Sequence, residues 1–212
     1  MDQGKKECIL TAAIRAFTRF GFKKASVDEI AREAGVAKGT VYLAADSKED
    51  LFFQALHREV REWVGENSKL IDPRRPADEV LRDLAWATLS QVERKPLVWA
   101  LLSGEDERLL PRWEGRLDEL RTLCTRNVVE VLELGIKQGI FRRDLEVAAT
   151  AELLLEMQIV TLVYRSRGGP DREQRLAGLA RAGFDLVFRG LRSEPGLAQA
   201  VAREIAASPA HP

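Results

Sequence analysis

The sequence has few of the residues that build disulfide-bonded or metal-stabilised folds. Its 212 residues include two cysteines and two histidines. Cys8 and Cys124 lie far apart and form no CxxC or Cys/His spacing, which argues against a disulfide framework or a zinc site and favours the cytoplasm. No glycine-rich phosphate loop, nucleophile elbow or metal-spaced cluster is seen. We therefore predict no catalytic residue, cofactor or metal, and an all-helical enzyme that uses carboxylates remains the alternative.

An excess of one charge is also missing, because 33 Lys and Arg balance 33 Asp and Glu. This balance argues against a protein that coats nucleic acid or membranes through bulk charge, so any such contact must be local. The first six residues form no apolar segment, and the longest uncharged apolar stretch, about 158–164, is shorter than a membrane span. We expect neither export nor membrane insertion. The 45% hydrophobic content suffices for a buried core.

The apolar residues that are present recur with the period of an α-helix along most of the chain, which predicts an all-α fold. A first helix, about residues 5–20, ends at Gly21, and Gly35 and Gly139 end two later ones. Ser26 to Glu29 and Ser47 to Asp50 each read as a helix cap. Further helices are predicted at about 47–71, 76–96, 97–103, 113–138, 145–166 and 173–191, and the tail 193–212 is expected to be loose.

Three residues between the second and third helices have the spacing of a helix-turn-helix motif. Ala31, Gly35 and Val41 stand at relative positions 1, 5 and 11. A small residue at Ala31 lets the second helix cross, Gly35 permits positive φ in the turn, and Val41 packs between the helices. The spacing predicts a DNA-binding module.

The residues around this motif carry a family resemblance. The run IAREAGVAKGTVY at 30–42, followed by SKEDLF at 47–52, resembles the N-terminal module of the TetR/AcrR family of bacterial transcriptional regulators. The first helix, with Ile9, Phe17 and Gly21, fits the same pattern, so the resemblance covers about the first 55 residues. It implies a homodimer with an effector pocket in its helical C-terminal part, and usually repression.

We predict a three-helix DNA-binding module at 1–45 and a helical effector-binding and dimerisation domain at 46–192. Within the module, side chains suited to phosphates and groove edges sit on a segment too short to need them for stability. The predicted DNA contacts are Ser26, Lys38, Gly39, Thr40, Tyr42 and Lys48. Alternatively, Tyr42 covers the core, Lys48 is merely solvated and Ser26 only caps its helix. Residues 1–45 hold eight Lys and Arg against five Asp and Glu, which fits a local DNA-facing patch.

One pair of residues departs from the family pattern. Ala44 and Ala45 stand where the family usually has an aromatic residue or His followed by Phe. The first would add a phosphate contact, and the second would pack the recognition helix against its neighbours. Losing a buried Phe costs about 3–5 kcal/mol where nothing compensates. The alternative function is therefore a protein of the same fold with weakened DNA binding, acting through ligand or protein contacts.

The C-terminal part supplies a candidate pocket between helices, where helical bundles hold ligands. Its predicted ligand contacts are Trp86, Trp99, Trp113, Met157, Gln158 and Thr161. The alternative is that the aromatic residues are ordinary core. This part lacks clustered Arg or Lys, so the expected effector is an apolar or aromatic small molecule with Gln158 or Thr161 at its polar end.

Small residues among apolar ones on the last helix predict a close helix–helix contact between two subunits. The predicted dimer residues are Ala180, Gly183 and Val187, and intramolecular packing is the alternative. Together these features predict a homodimeric repressor that an effector releases from a palindromic operator.

Overall fold

The computed structural model describes residues 2–102, 114–166 and 170–192. These residues contain no β-strand, and their elements are helices joined by short connections. The all-α prediction is confirmed. The helices are α1 (Gln3–Lys24), α2 (Val27–Glu33), α3 (Lys38–Tyr42), α4 (Lys48–Ser68), α5 (Ala77–Gln91), the 3₁₀ helix η1 (Val92–Arg94), α6 (Pro96–Leu102), α7 (Glu114–Lys137), α8 (Val147–Ser166) and α9 (Pro170–Leu191).

The first three helices form the helix-turn-helix arrangement that the motif predicts. Gly21 interrupts α1 with φ 71°, and Gly35 has φ 67° in the turn between α2 and α3. Both angles lie in the left-handed region, where a side chain would be strained. Ala31 and Val41 are buried, as the motif requires. The turn therefore has the geometry that sets α3 across α2.

Helix α4 connects this module to the rest of the protein. Its first half buries Leu51, Phe52 and Phe53 in a core shared with α1, α2 and α3. The same core includes Leu97 of α6 and Leu120 of α7, so apolar packing is continuous from the module into the C-terminal helices. A second core joins α5, α7, α8 and α9.

Several helix boundaries differ from the sequence-based predictions. Helix α4 ends at Ser68 rather than near 71, and the helix predicted up to Pro96 divides into α5 and η1.

The side chain of Gln138 fixes the turn before α5, because its Oε1 accepts from the Ala77 N–H and its Nε2 donates to the carbonyls of Pro73 and Arg75. The predicted tail 193–212 lies outside the described residues.

The expectation that no segment is long and apolar enough to span a membrane is wrong for helix α8. The 20 residues of Val147–Ser166 reach that length and apolar composition, and only 17% of the apolar window is buried within the subunit. The uncharged stretch in the sequence is shorter, because Glu152, Glu156 and Arg165 interrupt it. Helix α8 therefore leaves much of its apolar surface outside the core.

Candidate DNA-binding surface and ligand cavity

The predicted DNA contacts on α3 form one exposed surface. Lys38 and Gly39 are exposed, Thr40 is half-buried, and Tyr42 is 48% exposed. A Cβ at Gly39 would meet no atom within 4 Å, so packing within the protein does not require glycine there. Tyr42 does not cover the core, which removes one alternative reading of this residue.

Lys38 forms an ion pair with Asp28 of α2. Its Nζ lies 2.9 Å from Asp28 Oδ2, and both side chains are more than half exposed. The hydrogen bond to this carboxylate raises the pKa of Lys38, so the side chain remains cationic. Exposed ion pairs contribute little free energy, so Asp28 holds Lys38 only weakly.

Lys48 and Ser26 are less free than the sequence suggested. Lys48 Nζ donates to the Lys23 carbonyl at 3.2 Å and lies 4.7 Å from the Phe22 ring centroid, so it ties the start of α4 to the end of α1. Ser26 Oγ accepts from the Asp28 N–H and caps α2. Lys48 is therefore more than a solvated cation, and the cap role predicted for Ser26 is observed.

The core that contains Ala45, at the position of the missing family Phe, also contains aromatic residues. Ala45 is 4% exposed in the same core as Phe17 and Phe52, with Phe22 packed at its edge. The Phe17 and Phe52 ring centroids lie 4.9 Å apart, and those of Phe22 and Phe52 lie 5.6 Å apart. In addition, Gln54 of α4 donates to the Ala44 carbonyl at 3.0 Å, which anchors the end of α3 to α4.

A cavity of about 440 Å³ lies among α4 to α9. Helix α4 contributes five lining residues, and α5 presents Leu81, Leu84, Ala85 and Thr88. The walls are mostly apolar, and Arg121 is the one formally charged residue among the described lining residues. Arg121 forms an ion pair with Glu156 at an exposed position. Such a volume with apolar walls is typical of small-molecule sites.

The structure brings only part of the predicted ligand set to this cavity. Met157 and Gln158 line it. Trp86 is 70% exposed on the opposite side of α5, Trp99 packs instead with Trp63, and Thr161 donates to the Met157 carbonyl. Trp113 lies outside the described residues. Helical periodicity could not tell the two faces of α5 apart, because both carry apolar residues.

The predicted dimer residues also line the cavity. Ala180, Gly183 and Val187 of α9 all face it, and a Cβ at Gly183 would lie 3.3 Å from Met157 Cε. The large apolar residues exposed on α8 and α9 are Leu153, Met157, Val160, Leu179 and Leu186, of which Met157 and Leu179 also line the cavity. Leu153 and Val160 lie seven residues apart on α8, and Leu179 and Leu186 lie seven apart on α9. Seven residues are about two helical turns, so each pair forms a stripe along its helix. The sequence pattern pointed to the small residues of α9, with Leu179 and Leu186 beside them, but not to Leu153 and Val160 on α8.

Two ionisable groups near the cavity have strongly shifted pKa values. Burial raises the pKa of the Cys124 thiol to about 11, so it is an uncharged lining residue at neutral pH. Burial also raises the pKa of Glu59 to about 7, although its Oε2 accepts the N–H groups of Leu97 and Val98 at 3.0 Å each. Glu59 thereby links α4 to the start of α6.

Comparison with known proteins agrees with this arrangement. Residues 9–55 match the family model described as bacterial regulatory proteins, tetR family. The fatty acid metabolism regulator protein of Bacillus subtilis is 30% identical over 88% of this chain and 95% of its own length. The transcriptional repressor KstR2 of Mycolicibacterium smegmatis is 27% identical over 78% of this chain and 82% of its own.

Solved structures show the same fold. FadR of Bacillus subtilis, determined in complex with stearoyl-CoA, superposes with a TM-score of 0.64 at 20% identity, over 88% of this chain and 99% of that chain. Together with the sequence relatives, these findings place the chain in a class of helical DNA-binding transcription regulators. The chain belongs to the TetR family. The family resemblance predicted from the sequence is therefore confirmed.

Proposed function

We propose that this regulator is a homodimeric, cytoplasmic repressor that binds a palindromic operator and is released by a mostly apolar small molecule. One observation carries the proposal: α4 both lines the cavity and holds the recognition helix. Leu56, Val60 and Val64 line the cavity, whereas Gln54, two residues before Leu56, donates to the Ala44 carbonyl just after α3. A ligand that displaces α4 therefore changes the position of α3.

In this proposal residues 1–45 are the DNA-binding module, and α3 enters the major groove. Lys38 and Thr40 reach base edges or phosphates, Gly39 allows a close backbone approach, and Tyr42 and Lys48 bind phosphates. Ser26 adds a phosphate contact from the start of α2. The exposure of Lys38 and Tyr42 supports these roles.

The effector occupies the cavity among α4 to α9. Its apolar body packs on residues such as Met157, and Gln158 is available for a polar group. The relatives support a lipid-like ligand: one is a regulator of fatty acid metabolism, and the FadR structure contains stearoyl-CoA. Allosteric coupling of about 1–3 kcal/mol would lower operator affinity roughly 5–150-fold.

A second copy of the chain covers the exposed stripes of α8 and α9. A four-helix contact between two subunits would bury Leu153, Val160, Leu179 and Leu186. Two-fold symmetry then requires an inverted repeat in the operator. Because α9 also lines the cavity, the subunit contact and the ligand site share one helix.

The experiment is selection of bound fragments from random DNA, followed by fluorescence anisotropy on the selected sequence. We expect an inverted repeat bound at least 10³-fold more tightly than random DNA. Lys38→Ala should weaken binding about fivefold or more, whereas Lys137→Ala, which removes the same charge from the exposed end of α7, should not.

The alternative function is the same fold with weakened DNA binding. The pair Ala44 and Ala45 supports it, whereas the packed rings of Phe17, Phe22 and Phe52, in the core that contains Ala45, favour an intact module. Recovery of no sequence bound better than random DNA would select the alternative.

A further inference from the structure

Leu43 directly follows α3 and is the most exposed large apolar residue in the part of the chain that the structure describes. Its exposed fraction is 77%. Its backbone remains helical, with φ −76° and ψ −18°, and its N–H donates to the Gly39 carbonyl at 3.1 Å. Leu43 therefore extends the recognition helix by one residue and leaves most of its surface in solvent.

Gly39 and Leu43 lie on the side of this helix that faces away from the core. Val41 and Ala45 mark the packed side, since they are 2% and 4% exposed and the Ala45 N–H donates to the Val41 carbonyl. Each residue of an α-helix is rotated by about 100° from the one before, so Gly39 and Leu43 lie about 160° and 200° from Val41. A Cβ at Gly39 would meet no atom within 4 Å, so the space beside it is open.

The residues that flank this exposed side suit a nucleic-acid surface. Lys38 supplies a cation, Thr40 and Tyr42 supply hydroxyl groups, and the segment 38–43 contains no acidic residue. A recognition helix whose inner side packs on its own module meets the major groove with the opposite side. Leu43 therefore lies on the side of the helix that base edges would meet.

We propose that Leu43 contacts the C5-methyl group of a thymine in each half-site of the operator and thereby contributes to sequence specificity. The inference rests on the proposed operator binding and names one base that the recognition helix reads. In the major groove the thymine methyl is apolar, whereas the cytosine edge presents an N4 donor. A leucine cannot replace the water that hydrates such a donor, so contact with thymine is favoured. Burial of the two apolar groups against each other adds affinity that the solvated Leu43 side chain cannot supply in the free protein.

The test replaces each thymine of the selected operator by deoxyuridine, one position in one half-site at a time, in anisotropy titrations of the dimeric protein. Deoxyuridine still pairs with adenine and lacks only the C5-methyl group. We expect one or two thymines per half-site at which the wild type loses about fourfold in affinity, the value for one buried methyl group, and losses within about twofold elsewhere.

The variant Leu43→Ala assigns the methyl contact to this residue. It should bind the unmodified operator at least about threefold more weakly and should no longer distinguish thymine from deoxyuridine at those positions. Its salt dependence should equal that of the wild type, because no charge is removed. Tyr42→Phe is the matched control: it should weaken binding to both DNAs alike and keep the sensitivity to deoxyuridine, because a phosphate contact carries no base information.

A scan in which no deoxyuridine weakens binding, or a selected operator without thymine in its half-sites, would overturn the assignment and leave operator binding intact. Unchanged sensitivity to deoxyuridine in Leu43→Ala would also overturn it, since another residue would then read the methyl group. Recovery of no preferred operator would instead overturn the proposed function and this inference with it. The scan uses the wild-type protein, so it remains decisive whatever the stability of Leu43→Ala.

Discussion

Arg116, in the first turn of α7, forms an ion pair with Asp50, in the first turn of α4. Arg116 Nη1 lies 2.6 Å from Asp50 Oδ1, and the guanidinium carbon lies 3.7 Å from the centroid of the Phe53 ring. The other carboxylate oxygen, Oδ2, accepts from the Asp46 N–H and from Gln54 Nε2. Asp50 therefore joins α7, α4 and the segment after the recognition helix.

This junction provides a second connection from the cavity to the DNA-binding module. Leu117, the residue after Arg116, lines the cavity, and Gln54 carries the connection onward to the Ala44 carbonyl. A ligand that shifts either α4 or α7 would act on the same carboxylate. The two helices thus converge on the end of α3 rather than acting through separate contacts.

The first prediction concerns the Arg116–Asp50 pair. Burial tends to raise the pKa of Asp50, but hydrogen bonds from Arg116 and Gln54 outweigh it, so the pKa is lowered. Because the folded-state pKa of Asp50 lies below its unfolded value near 3.8, ionised Asp50 stabilises the folded state at higher pH. This stabilisation is lost as the pH falls below 3.8 and the carboxylate is protonated. We expect Arg116→Met to reduce the free energy of unfolding by about 1 kcal/mol at pH 7 and by less at pH 3.

Urea unfolding at the two pH values measures this difference. Arg74→Met is the matched control, because the Arg74 side chain is 93% exposed and its change should stay within about 0.5 kcal/mol. An equal loss for Arg116→Met at both pH values would show that packing on Phe53, rather than the ion pair, stabilises the junction.

Much of the fold follows from local sequence signals. Gly21, Gly35 and Gly139, each predicted to end a helix, all have positive φ, although Gly21 kinks α1 and the helix continues to Lys24. Ser26 and Ser47 cap the helices that follow them. These features involve residues within a few positions of each other, so periodicity and capping suffice to predict them.

The site depends on contacts that sequence patterns do not encode. Arg116 and Asp50 are 66 residues apart, and Asn127 meets the Val64 carbonyl across two helices. Nothing local to either residue specifies its partner. In the same way, the apolar faces of α9 look alike in the sequence, and only packing shows that Gly183 faces the cavity while Leu186 is 71% exposed.

The second prediction uses the buried carboxyl of Glu59. Its folded-state pKa, about 7, is higher than its ordinary value of 4.5. Its contribution is complete below pH 4.5 and is lost as pH rises through about 7, because the folded state must then hold a buried charge. Ionisation of Glu59 should therefore lower the free energy of unfolding of the wild type by about 2 kcal/mol between pH 5 and pH 8. In Glu59→Gln this loss should be absent.

Chemical unfolding at pH 5 and pH 8 checks this prediction, with Glu133→Gln on the exposed side of α7 as the control. The glutamine oxygen can still accept the Leu97 and Val98 N–H groups, so the variant should fold. The assignment of the raised pKa to Glu59 would not survive an unchanged pH dependence in Glu59→Gln.

The third prediction separates Lys38 from its ion-pair partner. Asp28 holds Lys38 in the free protein and places a negative charge beside the proposed DNA surface. Asp28→Asn should therefore tighten operator binding several-fold, whereas Lys38→Ala should weaken it and lower the salt dependence by about one unit if the contact is to a phosphate. Anisotropy titrations at several salt concentrations measure both. Weakening by both variants would mean that the pair acts as a structural unit.

The fourth prediction distinguishes the subunit contact from the cavity wall on α9. Leu186 is 71% exposed and does not line the cavity, whereas Gly183 lines the cavity and faces Met157. Leu186→Glu should produce monomers, because a carboxylate buried in an apolar contact must lose its hydration. Operator binding should fall with it, since two joined modules gain effective concentration that one module lacks.

Gly183→Leu should have the opposite profile. The new side chain enters the space beside Met157 in the cavity wall. We therefore expect a dimer that binds the operator but has lost affinity for an apolar probe ligand such as 2-dodecanol. Sedimentation velocity and calorimetry on both variants decide the matter. Monomers from Gly183→Leu together with dimers from Leu186→Glu would move the subunit contact to the small-residue face, because each substitution disrupts only the surface on which its side chain lies.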